Sequence, residues 1–256
     1  MFVNYQIINR VAFIEINRPD KRNALNAELV LQLTQCFKKA EKDENVKVIV
    51  LKAVGEVFSA GADLDYLKKL QSNSFEENLK DSNQLKDLFQ LIYEQPKIVI
   101  AQVQGHAIAG GCGLASVCDF VFSVPEAKFG YTEVKIGFIP AIVAVFLLRK
   151  IGEGLTKELV FSGDLIDAER AKSINLINFI VDGELIEEEV TKYAEKLCNT
   201  TSSQSIALTK QLLNKIQDKP LEEALDFAAE MNAHARSTVD CKRGIQAFLD
   251  KNKIVW

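Results

Sequence analysis

The sequence predicts an α/β protein, with a wound core of alternating strands and helices over residues 1–181 and an all-helical region over residues 182–256. Three observations carry this. Residues 46–51 (VKVIVL) and 97–103 (KIVIAQV) are β-branched, apolar and of strand length, which suits strands buried on both faces. Each runs on into a stretch of small residues and then a helical pattern, the hand-over expected where a strand feeds a crossover helix. After Val181 strand-like runs stop and only helical periodicity remains.

Residues 5–16 (YQIINRVAFIEI) read as a hairpin of two short strands turning near Asn9 and Arg10. Residues 17–26 (NRPDKRNALN) form a basic, turn-rich loop. Its last residue, Asn26, is placed to cap a helix reaching Lys42, with Leu29, Val30, Leu33 and Phe37 on the apolar face. Residues 72–77 (SNSFEE) are polar and predict a mobile loop. The helix after it, over 78–93, turns Leu85, Leu88, Phe89 and Ile92 inward and stops before Pro96. Residues 141–150 form an apolar helix that Gly152 and Gly154 break, and a second helix covers 155–162. Asp167 caps a further helix (DAERAKSI), residues 177–181 make a short strand, and helical segments over 184–199, 203–217 and 221–249 complete the chain.

Composition excludes several functions. Hydrophobic residues make up 48% and charged ones 26%, ordinary for a globular protein. A net charge of −4 gives no electrostatic reason to expect nucleic acid or an anionic membrane as partner. The five cysteines show no zinc or redox spacing. No signal-peptide pattern precedes the first strand, so the expectation is a cytoplasmic protein with reduced thiols. The longest apolar run, 136–148, is too short to span a bilayer.

Chemistry concentrates in residues 104–140, where Gly110, Gly111 and Gly113 surround Cys112. A strand that passes through glycines into a helix leaves the first helical N–H groups unpaired. Without Cβ atoms in the way, a ligand can approach that backbone closely. Such a turn suits an oxygen that is negative or becomes so, an oxyanion as much as a phosphate. Residues 58–64 (FSAGADL) repeat the pattern of strand, small residues and helix. Either turn alone would equally serve tight strand–helix packing; two in one chain favour a site.

Asn17-Arg18-Pro19 with residues 22–26 (RNALN), then FSAGADL, then Gly105 with residues 109–115 (AGGCGLA) and Cys118-Asp119, then Phe129-Gly130, Glu133, Gly137 and Pro140 resemble the crotonase (enoyl-CoA hydratase/isomerase) family. The motifs stand in the family's order and spacing and span nearly the whole chain. The resemblance implies a crotonase-like spiral of ββα units with a C-terminal helical oligomerisation region. It also implies a homotrimer or dimer of trimers, and substrates that arrive as coenzyme A thioesters, with no separate cofactor and no metal.

At the site, the resemblance implies an oxyanion hole from the N–H groups of Ala62 and Gly110, and Glu133 as acid–base. The family's two-glutamate hydratases carry a second glutamate at the position that is Gly113 here, a departure that removes the usual water-activating partner. Coenzyme A or substrate contacts are implied for Arg22, Ala24, Ala60, Ala62, Asp63, Leu64 and Gly110, and, from a neighbouring subunit, for Phe248 and Lys251. Residues 141–149 (AIVAVFLLR) replace the glycines and Gln-Arg pair of many hydratases. With Gly113, they resemble the methylglutaconyl-CoA hydratase-like branch found in leucine catabolism.

Set against the residues alone, Glu133 reads as a plain surface glutamate, and the acid–base reading takes its apolar neighbours to raise the carboxyl pKa. Asp63 is a helix cap, Arg22 a solvated loop charge and His106 a strand-end histidine held by backbone. Asp119 is a structural hydrogen-bonder, Cys112 and Cys118 are packing thiols, and His234 has no evident partner. Three functions compete: a hydratase of 2-enoyl-CoA thioesters, including a 3-methylglutaconyl-like one; an enoyl-CoA isomerase, which needs one carboxylate; and a non-catalytic acyl-CoA-binding or scaffold protein. Some relatives of the methylglutaconyl type are linked to RNA binding, and the acidic pI of about 5.4 counts against that role.

Overall fold

The N-terminal hairpin forms where the sequence places it. In the computed structural model, which describes residues 1–256, β1 (Val3–Ile8) and β2 (Val11–Ile16) pair antiparallel. They turn at Asn9 and Arg10, both at positive φ (49° and 69°), the left-handed pair that matches the twist of a tight hairpin. Asn26 caps α1 (Ala27–Lys42), its side chain accepting from the Leu29 N–H at 2.9 Å. Next come β3 (Val48–Ala53), β4 (Val57–Ser59), α2 (Leu64–Leu70) and α3 (Phe75–Tyr93). β5 (Ile98–Val103), β6 (His106–Ile108) and α4 (Gly110–Ser116) follow, then β7 (Phe120–Ser123) and β8 (Lys128–Gly130). After a 3-10 turn (Glu133–Ile136) come α5 (Ala141–Ser162), β9 (Ile166–Asp167), α6 (Ala168–Ser173) and β10 (Phe179–Ile180). The helical C-terminal region holds α7 (Ile186–Thr200), α8 (Ser203–Ile216), α9 (Leu221–Ser237) and α10 (Val239–Leu249).

The strands divide between two sheets. One runs β1-β2-β3-β5-β7-β10 and the other β4-β6-β8-β9. In the larger sheet every pairing but the β1–β2 hairpin is parallel. After the hairpin, the pairs β3–β4, β5–β6 and β7–β8 each lay a longer strand in the large sheet and a short one in the small sheet before the chain turns to helix. This is the spiral of ββα units. All six residues of β3 and of β5 are buried, which is why those runs read as unbroken apolar sequence. Asp119, just before β7, accepts from the Val99 N–H at 2.7 Å and pairs with Lys210, tying α8 to the sheet.

Four sequence expectations change. Residues 72–77 are not a loop throughout: Ser74 and Glu77 form a reciprocal capping box and α3 starts at Phe75. The segment over 221–249 is two helices, because Thr238 is extended (ψ 154°) and its hydroxyl caps α10 at the Cys241 N–H. Of the two glycines in α5, only Gly152 interrupts the helix, at φ 78° and ψ 172°. The strands β4, β6, β7, β8 and β9, two to four residues each, were not expected; nothing that short shows a period of its own.

Candidate active site at the ends of three parallel strands

β4, β6 and β8 lie side by side and parallel, so their carboxyl ends open on one side of the small sheet. Ala62, Gly110 and Glu133 each follow one of these ends within a few residues. Backbone contacts draw the loops together. The Ala109 N–H donates to Gly130 O at 2.7 Å, joining the end of β6 to the end of β8. Gly61 sits at φ 87°, and a Cβ there would stand 2.8 Å from the Ala109 Cβ and 2.9 Å from Ile108 O. Only glycine lets these two loops touch.

The same geometry leaves two donors over. Leu25 donates to Gly61 O at 2.7 Å and accepts from the Asp63 N–H at 2.9 Å. In such a strand-like bridge successive peptides face opposite ways, so the intervening N–H of Ala62 points away from Leu25 and has no partner in the chain. Gly110 is the first residue of α4, where a helix cannot satisfy its own N–H, and that donor is likewise unpartnered. Ala62 is exposed and Gly110 half-buried.

Glu133 opens the 3-10 turn after β8. Its Oε2 is shut off from solvent and has no hydrogen-bond partner. Burial raises the carboxyl pKa, and a bond from its own backbone N–H offsets that only in part. Its electrostatic neighbours Cys112 and Tyr131 are themselves buried and neutral; desolvation pushes the thiol up to about 12 and the phenol well above its ordinary value. No cation holds Glu133 ionised. A carboxyl in that condition holds its proton more tightly than one in water, as suits an acid–base group.

Gly113 contributes no functional group and no open space. A Cβ on it would fall 2.2 Å from Val143 Cγ1 and 3.0 Å from Phe89 Cε1. The two departures from the usual family pattern, Gly113 and the apolar segment after Pro140, are thus one feature: Val143 of α5 fills the volume that a side chain at 113 would occupy.

The remaining residues implied by the resemblance divide into accessible and engaged. Arg22 is exposed with its guanidinium unpaired, Leu64 is exposed, and Ala60 is half-buried with its N–H on Arg22 O. Ala24 is buried and its carbonyl already accepts from Arg18 at 2.9 Å. Asp63, implied as a substrate contact, has its carboxylate committed to the Asp65 and Tyr66 N–H groups and to Arg18, so its side chain is not free to hold a ligand. Phe248 and Lys251 are exposed at the end of α10, which packs on α8 and α9 rather than on the strand ends. His106 accepts from the Lys128 N–H through Nδ1. Arg18 and Asn23, which enter the sequence reading only as motif residues, and Val143, which enters it only within an apolar run, carry structural weight at the site; a turn arginine or one valine of an apolar helix gives no periodic signal of such a role.

Other features belong elsewhere. A cavity of about 160 Å³ opens at the far end of α4. Its cations are already engaged: Lys150 with the Ser116 and Cys118 carbonyls, Lys210 with Asp119, Arg149 with Asp218. No helix is long and apolar enough to cross a membrane, and all five thiols are free.

The two-sheet spiral defines the class of protein, and comparison with known sequences identifies the family. A family model described as enoyl-CoA hydratase/isomerase matches residues 6–256, and the chain belongs to that family, the crotonases. A Thermus thermophilus protein provisionally named an enoyl-CoA hydratase is 42% identical over 241 residues, covering 94% of this chain and 95% of the relative. A short-chain-enoyl-CoA hydratase of Clostridium acetobutylicum is 32% identical over 96% of this chain and 93% of its own. Among solved structures, an enoyl-CoA hydratase from Shewanella pealeana superposes with a TM-score of 0.95 at 29% identity, covering all of this chain and 96% of its own.

Proposed function

We propose that the chain is an enoyl-CoA hydratase that adds water across a 2-enoyl-CoA thioester, with Glu133 as its one acid–base group. The observation that carries this is the meeting of two unpartnered N–H donors and a carboxyl with one buried, unpartnered oxygen at three adjacent strand ends. The thioester oxygen accepts from Ala62 and Gly110 and takes up negative charge as an enolate. Each such donor contributes roughly 3 kcal/mol to the transition state. Glu133, as carboxylate, takes a proton from water as the water oxygen bonds to the β-carbon, then returns that proton to the α-carbon. Atoms and charge balance with a single carboxylate. The names of the relatives support the hydratase direction.

Isomerisation is the second reading, and one observation favours it: Val143 closes the place where a second carboxylate would activate water. There Glu133 would take an α-proton from a 3-enoyl thioester and return it at the γ-carbon. The deciding experiment is a panel of 2-enoyl and 3-enoyl-CoA thioesters, including 3-methylglutaconyl-CoA. Hydration of 2-enoyl substrates faster than isomerisation of 3-enoyl ones is expected; the reverse order replaces the hydratase reading by the isomerase one, and inertness toward both leaves a binding protein.

Arg22 is the proposed contact for the nucleotide end of coenzyme A, with Ala24, whose backbone is already engaged, shaping the loop beside it, in a cytoplasmic enzyme that works as a trimer or dimer of trimers. No residue of α8, α9 or α10 is buried within one chain, and Leu221, Val239 and Phe248 are among the most exposed apolar side chains. A neighbouring copy would cover such faces, bringing Phe248 and Lys251 toward the bound nucleotide. Light scattering at micromolar concentration should return three or six chains; a monomer would sink the assembly.

A further inference from the structure

We infer that Arg18 is a positioning residue for the Ala62 donor, acting through Asp63 and a bracket formed by the loop over residues 18–25. The inference rests on the proposed oxyanion hole. Its starting point is what fails to hold Ala62 in place. The helix that follows, α2, has no fully buried residue, so apolar packing downstream of the donor holds it only weakly. Its position depends on polar contacts, and nearly all of these come from one loop.

Asp63 accepts from the Asp65 and Tyr66 N–H groups through Oδ1, at 2.9 and 3.2 Å, and meets Arg18 Nη2 through Oδ2 at 2.6 Å. The pair is almost dry, the two side chains being 11% and 8% exposed. Arg18 also donates from Nη1 to Ala24 O at 2.9 Å, so its guanidinium clamps both sides of the Leu25–Ala62 bridge. The upstream side is held in the same way. Asn23 donates to Val54 O and Val57 O at 2.8 and 2.7 Å, and accepts from the Arg18 N–H through Oδ1. The Ser59 hydroxyl donates to Asn23 O at 2.9 Å and accepts from the Gly61 N–H at 3.3 Å. Arg22 O takes the Ala60 N–H at 3.0 Å. Residues 59, 60, 61 and 63 are each tied down, and the N–H left over is that of Ala62.

The cost of loosening this bracket is geometric. Removing Arg18 leaves a buried carboxylate without its counter-charge, which the segment can relieve only by moving toward water. A misplacement of about 1 Å at a group that acts on the transition state can cost roughly 10²-fold in rate. A residue that merely stabilised the fold would lower the melting temperature and leave the bound carbonyl unchanged.

The experiment reads that carbonyl directly. Butyryl-CoA, labelled at the carbonyl carbon, has no double bond to hydrate, and its C=O stretch falls when N–H groups donate to the oxygen. At saturation this frequency does not depend on affinity. Wild type should lower the stretch relative to free butyryl-CoA. Arg18→Met should return it most of the way, with kcat down roughly 10²-fold and KM changed much less. Arg18→Lys, which can reach only one of the two partners, should fall between. Where Arg18→Met does not fold, Asp63→Asn takes its place, since the amide oxygen still caps α2 while the ion pair is lost; the stretch should again move toward the free value. An unshifted stretch in wild type overturns the oxyanion-hole reading itself. A wild-type shift that survives intact in the folded variant overturns the positioning role and leaves the hole standing.

Discussion

Glu133→Gln should lower turnover roughly 10²- to 10⁴-fold while thioester binding stays near wild type. The amide keeps the shape of the side chain and loses its capacity to exchange a proton, so the loss falls on the transition state. Its buried neighbours Cys112 and Tyr131 are poor substitutes, since both hold their protons more tightly than in water. The acidic limb of kcat/KM in wild type should lie above the usual carboxylate range, because burial raises the Glu133 pKa and the carboxylate is the form that starts the reaction. The same shift has a stability consequence of definite sign. A folded-state pKa above the unfolded one gives stability that is full below the ordinary glutamate range and is lost as pH rises through the raised value. Glu133→Gln cannot ionise, so at and above neutral pH it should unfold at a slightly higher temperature than wild type. Turnover within tenfold of wild type in this variant would mean that the proton moves through another group.

Gly113→Glu should destabilise the fold and fail to improve hydration, although it restores the carboxylate that two-glutamate relatives carry. The new Cβ would overlap Val143 Cγ1 at 2.2 Å and Val143 Cβ at 2.9 Å, and a valine on a packed helix cannot swing clear as a long side chain could. Overpacking together with a buried carboxylate costs about 3 kcal/mol, or roughly 6–12 °C in melting temperature for a chain of this size. Gly113→Glu combined with Val143→Gly should recover most of that loss, less about 1 kcal/mol for glycine in a helix. If water activation limits the enzyme, the pair should also raise hydration of a 2-enoyl thioester relative to isomerisation of a 3-enoyl one. Scanning calorimetry on the single variant is the first check: a melting temperature equal to wild type would show that the α4–α5 contact yields, and that Val143 does not close the second position.

Much of this was legible in order along the chain. β3 and β5 could be read because strands buried on both faces leave an unbroken apolar run, and α1 because Asn26 and an apolar stripe mark its start and its buried face. The glycine turns announced exposed backbone donors, since only backbone conformation and close approach call for such residues. The family motifs then brought Ala62, Gly110 and Glu133 to attention together. By itself Glu133 was indistinguishable from a solvated surface glutamate.

The sequence by itself determined the alternation of strands and helices, the helical C-terminal region and the chemical character of the two turns, because each is a local property of backbone preference and hydrophobic period. Only the tertiary structure decided which groups stand free. Whether the Ala62 N–H is spare depends on Leu25, which takes the bonds on either side of it. The proton affinity of Glu133 depends on burial, and the Asp63 carboxylate is engaged by Arg18, distant in sequence and adjacent in space. Gly113 is closed by Val143 from another helix. These are pairwise facts between distant segments, set by the packing of the two sheets, and no periodicity along the chain encodes them.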